Sequence, residues 1–169
     1  KADPSRRDRM AFFSVLCLYG QGLDDEAEAE VRRLVKGCPD AAVRREATLW
    51  LAKFLYNRRT WSEAERLFTA AAGLQADSES AAEALLWAAR AAFADGKFNQ
   101  AIKSTTDLAE RYPDAKVKYP ALMVQGESLI ELARFDEAVL VFDRIVVSED
   151  VAPEDRIRAK MLRADALYA

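Results

Sequence analysis

The 169-residue chain carries 25 basic and 28 acidic side chains, and 51% of it is hydrophobic with only six glycines. That mild acidic balance, without a basic stripe, argues against nucleic acid as a partner. Its apolar runs fall far short of the ~20 residues of a membrane-spanning helix. The chain has no histidine, so the commonest general base and metal ligand is missing.

In chain order the predicted elements are helices in pairs. Asp3-Pro4 opens a first helix over 4–20, with proline in the first turn and an acid favoured by the helix dipole. Gly20-Gln21-Gly22 turns the chain into a second helix, 23–37. Cys38-Pro39-Asp40-Ala41 ends that helix, and Asp40 is placed to cap the next. The following pairs span 40–58 with 60–74, 78–95 with 97–112, and 119–133 with 135–149. Ser80 with Glu83 forms a candidate capping box, and Tyr112-Pro113-Asp114-Ala115 repeats the earlier stop signal. Ala76 and Asp150 stand where the other repeats have that proline, so the stop is weaker there. Pro153-Glu154-Asp155 starts a lone final helix. Nothing reads as a strand, and no low-complexity linker divides the chain.

Ala27, Ala64, Ala101 and Ala138 recur every 37 residues within similar phrases, such as Trp61-Ser62-Glu63-Ala64 and Phe135-Asp136-Glu137-Ala138. Four residues later come Val31, Phe68, Thr105 and Phe142; seven later come Leu34, Ala71, Leu108 and Ile145. Offsets of four and seven mark one face of a helix. Twelve residues before the later alanines stand Ala52, Ala89 and Gly126, small enough for two helices to approach closely. In the first repeat Ser14 takes that place, on the expectation that the first turn is one residue longer. Ala164 takes it in the final helix. Trp61, Phe98 and Phe135, just before the turn alanines, are expected in the core. A fixed period of this length implies a stack of helical hairpins, each resting on its neighbours.

These phrases resemble the tetratricopeptide repeat (TPR) family, whose usual period is about 34 residues. The resemblance implies an all-α, right-handed superhelical α-solenoid of helix-turn-helix repeats with period 37. It covers residues 1–169 as a single array of four hairpins, about 4–37, 40–74, 78–112 and 119–149, plus the first helix of a fifth repeat, about 153–169. The broken fifth repeat and the start without methionine suggest an excerpt of a longer protein. The Tyr-Pro-Asp-Ala turn and Ala47-Thr48-Leu49-Trp50-Leu51-Ala52 are similar to bacterial envelope TPR proteins, including Tol-Pal-associated periplasmic proteins and outer-membrane assembly lipoproteins. That likeness implies the periplasm. Two unpaired thiols lean instead toward a reducing compartment, so the cytoplasm stays open.

Cys17 and Cys38 lie far apart along an antiparallel hairpin, offset by ~15 Å at 1.5 Å per helical residue. A disulfide needs Cα atoms within about 7 Å. The expectation is two free thiols, Cys17 packed and Cys38 partly exposed.

TPR stacks usually bind proteins through a concave face lined by the first helix of each pair. Carried onto this sequence, the residues after the small position are Lys53, Arg90, Glu127 and Asp165, two bases followed by two acids. The rows beside them are Phe12, Trp50, Trp87, Val124 and Leu162, and Leu18, Tyr56, Phe93, Ile130 and Tyr168. The resemblance thus implies a partly aromatic trough with a charge gradient, suited to an extended or helical peptide whose acidic end meets Lys53 and Arg90. The candidate protein-binding groove is Trp50, Lys53, Tyr56, Trp87, Arg90, Phe93 and Glu127. Two other readings stay open at these residues: the tryptophans wedged between neighbouring first helices, and Lys53 and Arg90 as plain solvated charge. Ala11 and Val15 stand where the chaperone-binding TPR type carries its carboxylate-gripping residues, so that clamp is not expected.

No catalytic, cofactor or metal constellation emerges, and the chain is not expected to be an enzyme. The expected function is a protein-interaction module, an adaptor or assembly scaffold for a protein or peptide partner. One alternative is a structural spacer or self-association module of a longer array. The other is a regulatory or substrate-recruiting domain of a larger enzyme.

Overall fold

The computed structural model describes residues 4–74 and 77–169; the expected cap Asp3 and the weak stop at Ala76 lie outside them. Among the described residues the chain forms nine α-helices and no strand. They are α1 (Pro4–Gly20), α2 (Asp24–Gly37), α3 (Ala41–Asn57), α4 (Trp61–Leu74), α5 (Ser78–Ala94), α6 (Phe98–Arg111), α7 (Lys118–Glu131), α8 (Phe135–Val146) and α9 (Pro153–Tyr168). Each helix packs on the one before it, as the repeat pattern requires of an α-solenoid.

The second helix of each pair forms because one apolar stripe recurs every three or four positions. Ala27, Val31 and Leu34 on α2 are buried, as are Ala64, Phe68 and Ala71 on α4. The same stripe is Ala101, Thr105 and Leu108 on α6, and Ala138, Phe142 and Ile145 on α8. The alanine-rich α5 is buried over much of its circumference, because it lies between α4 and α6 and also touches α7.

All four hairpin turns are alike. Gly22, Arg59, Gly96 and Ala133, each 37 residues from the next, adopt left-handed φ of 78°, 60°, 71° and 55°. A single left-handed residue stops the first helix and reverses the chain, which is why glycine stands at two of these positions. The first turn is therefore not one residue longer, and the expectation for Ser14 is corrected. Val15 occupies the place of Ala52, Ala89 and Gly126; it is fully buried, whereas Ser14 is exposed. The register sets Val15 opposite Val31 where the second repeat sets Ala52 opposite Phe68. A mid-sized pair replaces a small–large pair, so the interior stays filled.

The entry to α3 is capped as expected: Asp40 Oδ1 accepts from the backbone N–H groups of Ala42 and Val43 at 2.9 and 3.1 Å. Ser5 donates to its other oxygen at 2.5 Å, tying α1 to the start of α3. At α5 the cap is Asp77, which accepts from the Ser80 N–H at 2.8 Å, and not the Ser80–Glu83 box. Asp114 does not cap α7, whose N-cap position is Val117. Pro120 suits the first turn of a helix, where the missing N–H costs nothing, so α7 begins late. The intervening Lys116 N–H is held by Glu79 at 3.1 Å.

Three further expectations change. Cys17 is exposed and Cys38 buried, the reverse of the sequence reading, and both are free. Cys38 lies in the turn beneath α3 with its Sγ 3.5 Å from the Asp40 carbonyl, whereas Cys17 lies on a side of α1 that no other helix covers. Trp61, Phe98 and Phe135 are half-buried, not core, because each opens a second helix at the rim of the stack.

The first helices form one layer: α1 touches α3, α5 touches α7 and α7 touches α9, while α3 meets α5 through the Tyr56–Trp87 ring pair. No contact of that extent links successive second helices among the described residues. The first helices are thus the inner layer, whose members approach one another most closely, and the second helices the outer one. No helix among the described residues is long and apolar enough to cross a membrane.

Candidate protein-binding groove

The concave residues come from α1, α3, α5, α7 and α9, one repeat apart. The uniform turns place Phe13, Trp50, Trp87 and Val124 in one row and Tyr19, Tyr56, Phe93 and Ile130 in another. Phe12 and Leu18, expected in these rows, turn inward. Phe12 is buried and Leu18 packs against the core, while Phe13 is 56% exposed and Tyr19 47% exposed. The same one-residue slip explains both corrections and that of Ser14.

Rings from the two rows meet in a repeated geometry. Tyr19 and Trp50 stand edge to face with centroids 5.4 Å apart and planes at 86°. Tyr56 and Trp87 repeat this at 5.4 Å and 80°. Such pairs contribute about 0.5–1.5 kcal/mol beyond their buried area. Each joins one first helix to the next, so the two tryptophans are half-buried between repeats while keeping an open side. Trp50 also stacks on Phe54 at 5.2 Å, and Trp87 stacks on Phe68 of α4 at 5.9 Å.

The charged row is uneven. Lys53 is exposed, and Arg90 places its guanidinium carbon 5.0 Å from the Trp87 ring centroid. Among the described residues neither has an ion-pair partner. Glu127 differs, since Arg158 of α9 forms an ion pair with it. The sequence reading missed Arg158. Its signal was an offset of 31 residues, the same that separates Tyr19 from Trp50 and Tyr56 from Trp87.

Of the predicted site residues, Tyr56, Arg90, Phe93 and Glu127 line one cleft of about 390 Å³. Met123 and Val124 form its apolar floor, and Asp155 and Arg158 close it from α9. Trp50, Lys53 and Trp87 lie along the groove outside this cleft. A smaller hollow of about 260 Å³ continues it past Ile130 and Leu162.

The outer layer holds the stronger ion pairs. Arg32 on α2 donates to Glu63 on α4 at 2.5 and 2.9 Å, and to Glu28 at 2.9 Å. Its guanidinium holds the Glu63 carboxyl below its ordinary pKa. Lys97 and Ser62 do the same for Asp95 beside the third turn. These contacts join hairpins outside the groove. Among the described residues no three histidine, cysteine, aspartate or glutamate side chains gather closely enough to hold a metal ion.

The tetratricopeptide repeat family model matches residues 83–115, which hold most of α5 and all of α6. Two crystal structures of nearly identical TPR-like repeats of a putative kinesin light chain from Podosopora anserina, one of them a substituted form, share the fold. Their TM-scores are 0.69 and 0.68 at 18% identity, covering 99% of this chain and 88% of theirs. No curated protein matches the sequence significantly. Tetratricopeptide repeats are in general protein–protein interaction modules, and this chain is an all-α repeat solenoid similar to them.

Proposed function

We propose that the chain binds a segment of another protein along its concave face and acts as an adaptor or assembly scaffold. The observation that carries this reading is the pair of bases on adjacent repeats, Lys53 and Arg90, each without an ion-pair partner among the described residues and Arg90 lying over the Trp87 ring. Internal ion pairs engage Arg32 in the outer layer and Arg158 on α9, whereas Lys53 and Arg90 enter none among the described residues. An extended or helical segment with apolar anchors meets the aromatics, and its carboxylates meet the two bases. The test is capture of the partner by the wild type beside the Lys53→Glu/Arg90→Glu double variant, with helicity checked in both. Loss of a discrete partner from an equally helical variant supports the groove; undiminished capture refutes it.

A second reading, self-association, is favoured by one observation. Met10 on α1 and Ile157, Met161 and Leu167 on α9 are each more than half exposed, at the two ends of the stack. Exposed apolar side chains gathered on the first and last helices favour association through them. A mass that rises with concentration, and falls to monomer in Met161→Lys/Leu167→Lys, supports this reading.

A further inference from the structure

The aromatic ladder loses a rung at its third step. Tyr19 pairs with Trp50 and Tyr56 with Trp87, in each case 31 residues on and at the same 5.4 Å. Phe93 continues the row of Tyr19 and Tyr56, but the residue 31 positions after it is Val124. Without an indole there, Phe93 turns to Phe98 at 5.4 Å, and the space beside Val124 is the cleft of about 390 Å³. That volume is within the ~300–1,000 Å³ typical of ligand pockets.

We infer that this cleft takes the missing aromatic ring from the partner: a linear peptide segment inserts an indole or phenyl side chain between Phe93 and Val124, next to a carboxylate that pairs with Arg90. The inference rests on the groove reading above and assigns its anchor point. Shape and charge agree on the occupant. The apolar floor of Met123 and Val124 is buried, so it offers a ring a dry surface and no hydrogen-bond partner. Arg90 lines the same cleft and has no ion-pair partner among the described residues. The other arginine there, Arg158, is already paired with Glu127. A carboxylate therefore gains most on the α5 side of the ring, with Lys53 one repeat further along for a second. Asp155, on the α9 side, disfavours an acid there.

Filling the cleft from within provides the decisive test. Val124→Trp restores the rung that the two preceding repeats carry, so it blocks the cleft by a geometry this fold already accommodates. The probe is a capped hexapeptide of two aspartates, one tryptophan and three glycines in that order, titrated into the isotope-labelled chain to several times ~1 mM, the range of weak single-anchor binding. The expected result is a set of amide shifts centred on Phe93, Met123 and Val124. Val124→Trp should weaken binding at least tenfold with an unchanged or higher Tm. Alanine in place of the peptide tryptophan should abolish the shifts, and Arg90→Gln should weaken them several-fold. Arg90→Gln serves as the second variant should Val124→Trp misfold. Absence of shifts, or shifts insensitive to both variants, overturns the inference. Shifts confined to Trp50 and Lys53 overturn the cleft while leaving the groove reading standing; shifts only on the second helices remove both.

Discussion

The ring of Phe142 occupies the space in which residue 126 would carry a side chain: a Cβ built on Gly126 stands 2.5 Å from its Cζ. Phe142 is fully buried, and its ring lies this close to α7 with glycine at position 126. Gly126→Ala is expected to destabilise the chain by about 1–3 kcal/mol, the usual cost of overpacking. Chemical denaturation measures this. The double variant Gly126→Ala/Phe142→Leu should recover part of the loss, and a neutral single variant would show the junction to be looser than described.

Two of the four hairpin turns ask an ordinary residue to adopt a glycine conformation. Arg59 and Ala133 hold φ of 60° and 55°, where the equivalent positions are Gly22 and Gly96. A left-handed backbone costs a residue with a Cβ roughly 1–2 kcal/mol. Part of that relief is offset by the greater freedom of glycine in the unfolded chain. Ala133→Gly is therefore expected to raise stability by about 0.5–1 kcal/mol, whereas Gly96→Ala should lower it by at least as much. Thermal unfolding of both variants checks the pair of signs.

The Arg32–Glu63 pair links the first two hairpins through α2 and α4 and makes an acid-dependent contribution. The folded state lowers the Glu63 pKa below its ordinary 4.5. A depressed carboxylate stabilises the fold fully above that value, and the contribution is lost as pH falls through the folded pKa. Both partners are over a third exposed, so the contribution is that of a surface pair, about 0–1 kcal/mol. The stability gap between wild type and Glu63→Gln should hold steady from neutral pH to about 4.5 and narrow below it. A gap that widens in acid would contradict the assignment.

Trp87 stacks on Phe68 and meets Tyr56, so it fixes α5 against the preceding hairpin. Trp87→Ala should cost ~2–3 kcal/mol, below the usual range for a fully buried tryptophan. Lys53→Ala, at an exposed residue with no ion-pair partner among the described residues, should stay within ~0.5 kcal/mol. Equal losses in the two would mean that Lys53 is structural.

The period, the pairing of helices and the buried stripe from Ala27 to Ile145 were legible because every repeat states them in the same residue types. What failed was local. Gly20-Gln21-Gly22 reads as a loose, longer turn, yet only Gly22 needs its glycine, and Val15 hid the small-residue position because its opposite number is Val31. One slip of register then moved Phe13 and Tyr19 out of the groove in the sequence reading. Glu127 was found without its partner, since an ion pair between successive first helices leaves no mark within a single helix. The cleft was invisible for a similar reason: it is created by what Val124 lacks. Cys38 looked exposed because a Pro-Asp turn usually is, and here α3 folds back over it.

The central claim is that the concave face holds the partner. The direct measurement is photo-crosslinking from a single position, Lys53 on α3 or Lys103 on the exposed side of α6, with adducts resolved by mass in host extract. A discrete adduct from Lys53, absent from Lys103 and lost on Arg90→Glu, is the predicted result. An adduct from Lys103 alone, or equally from both, contradicts the claim and moves the binding surface to the second helices.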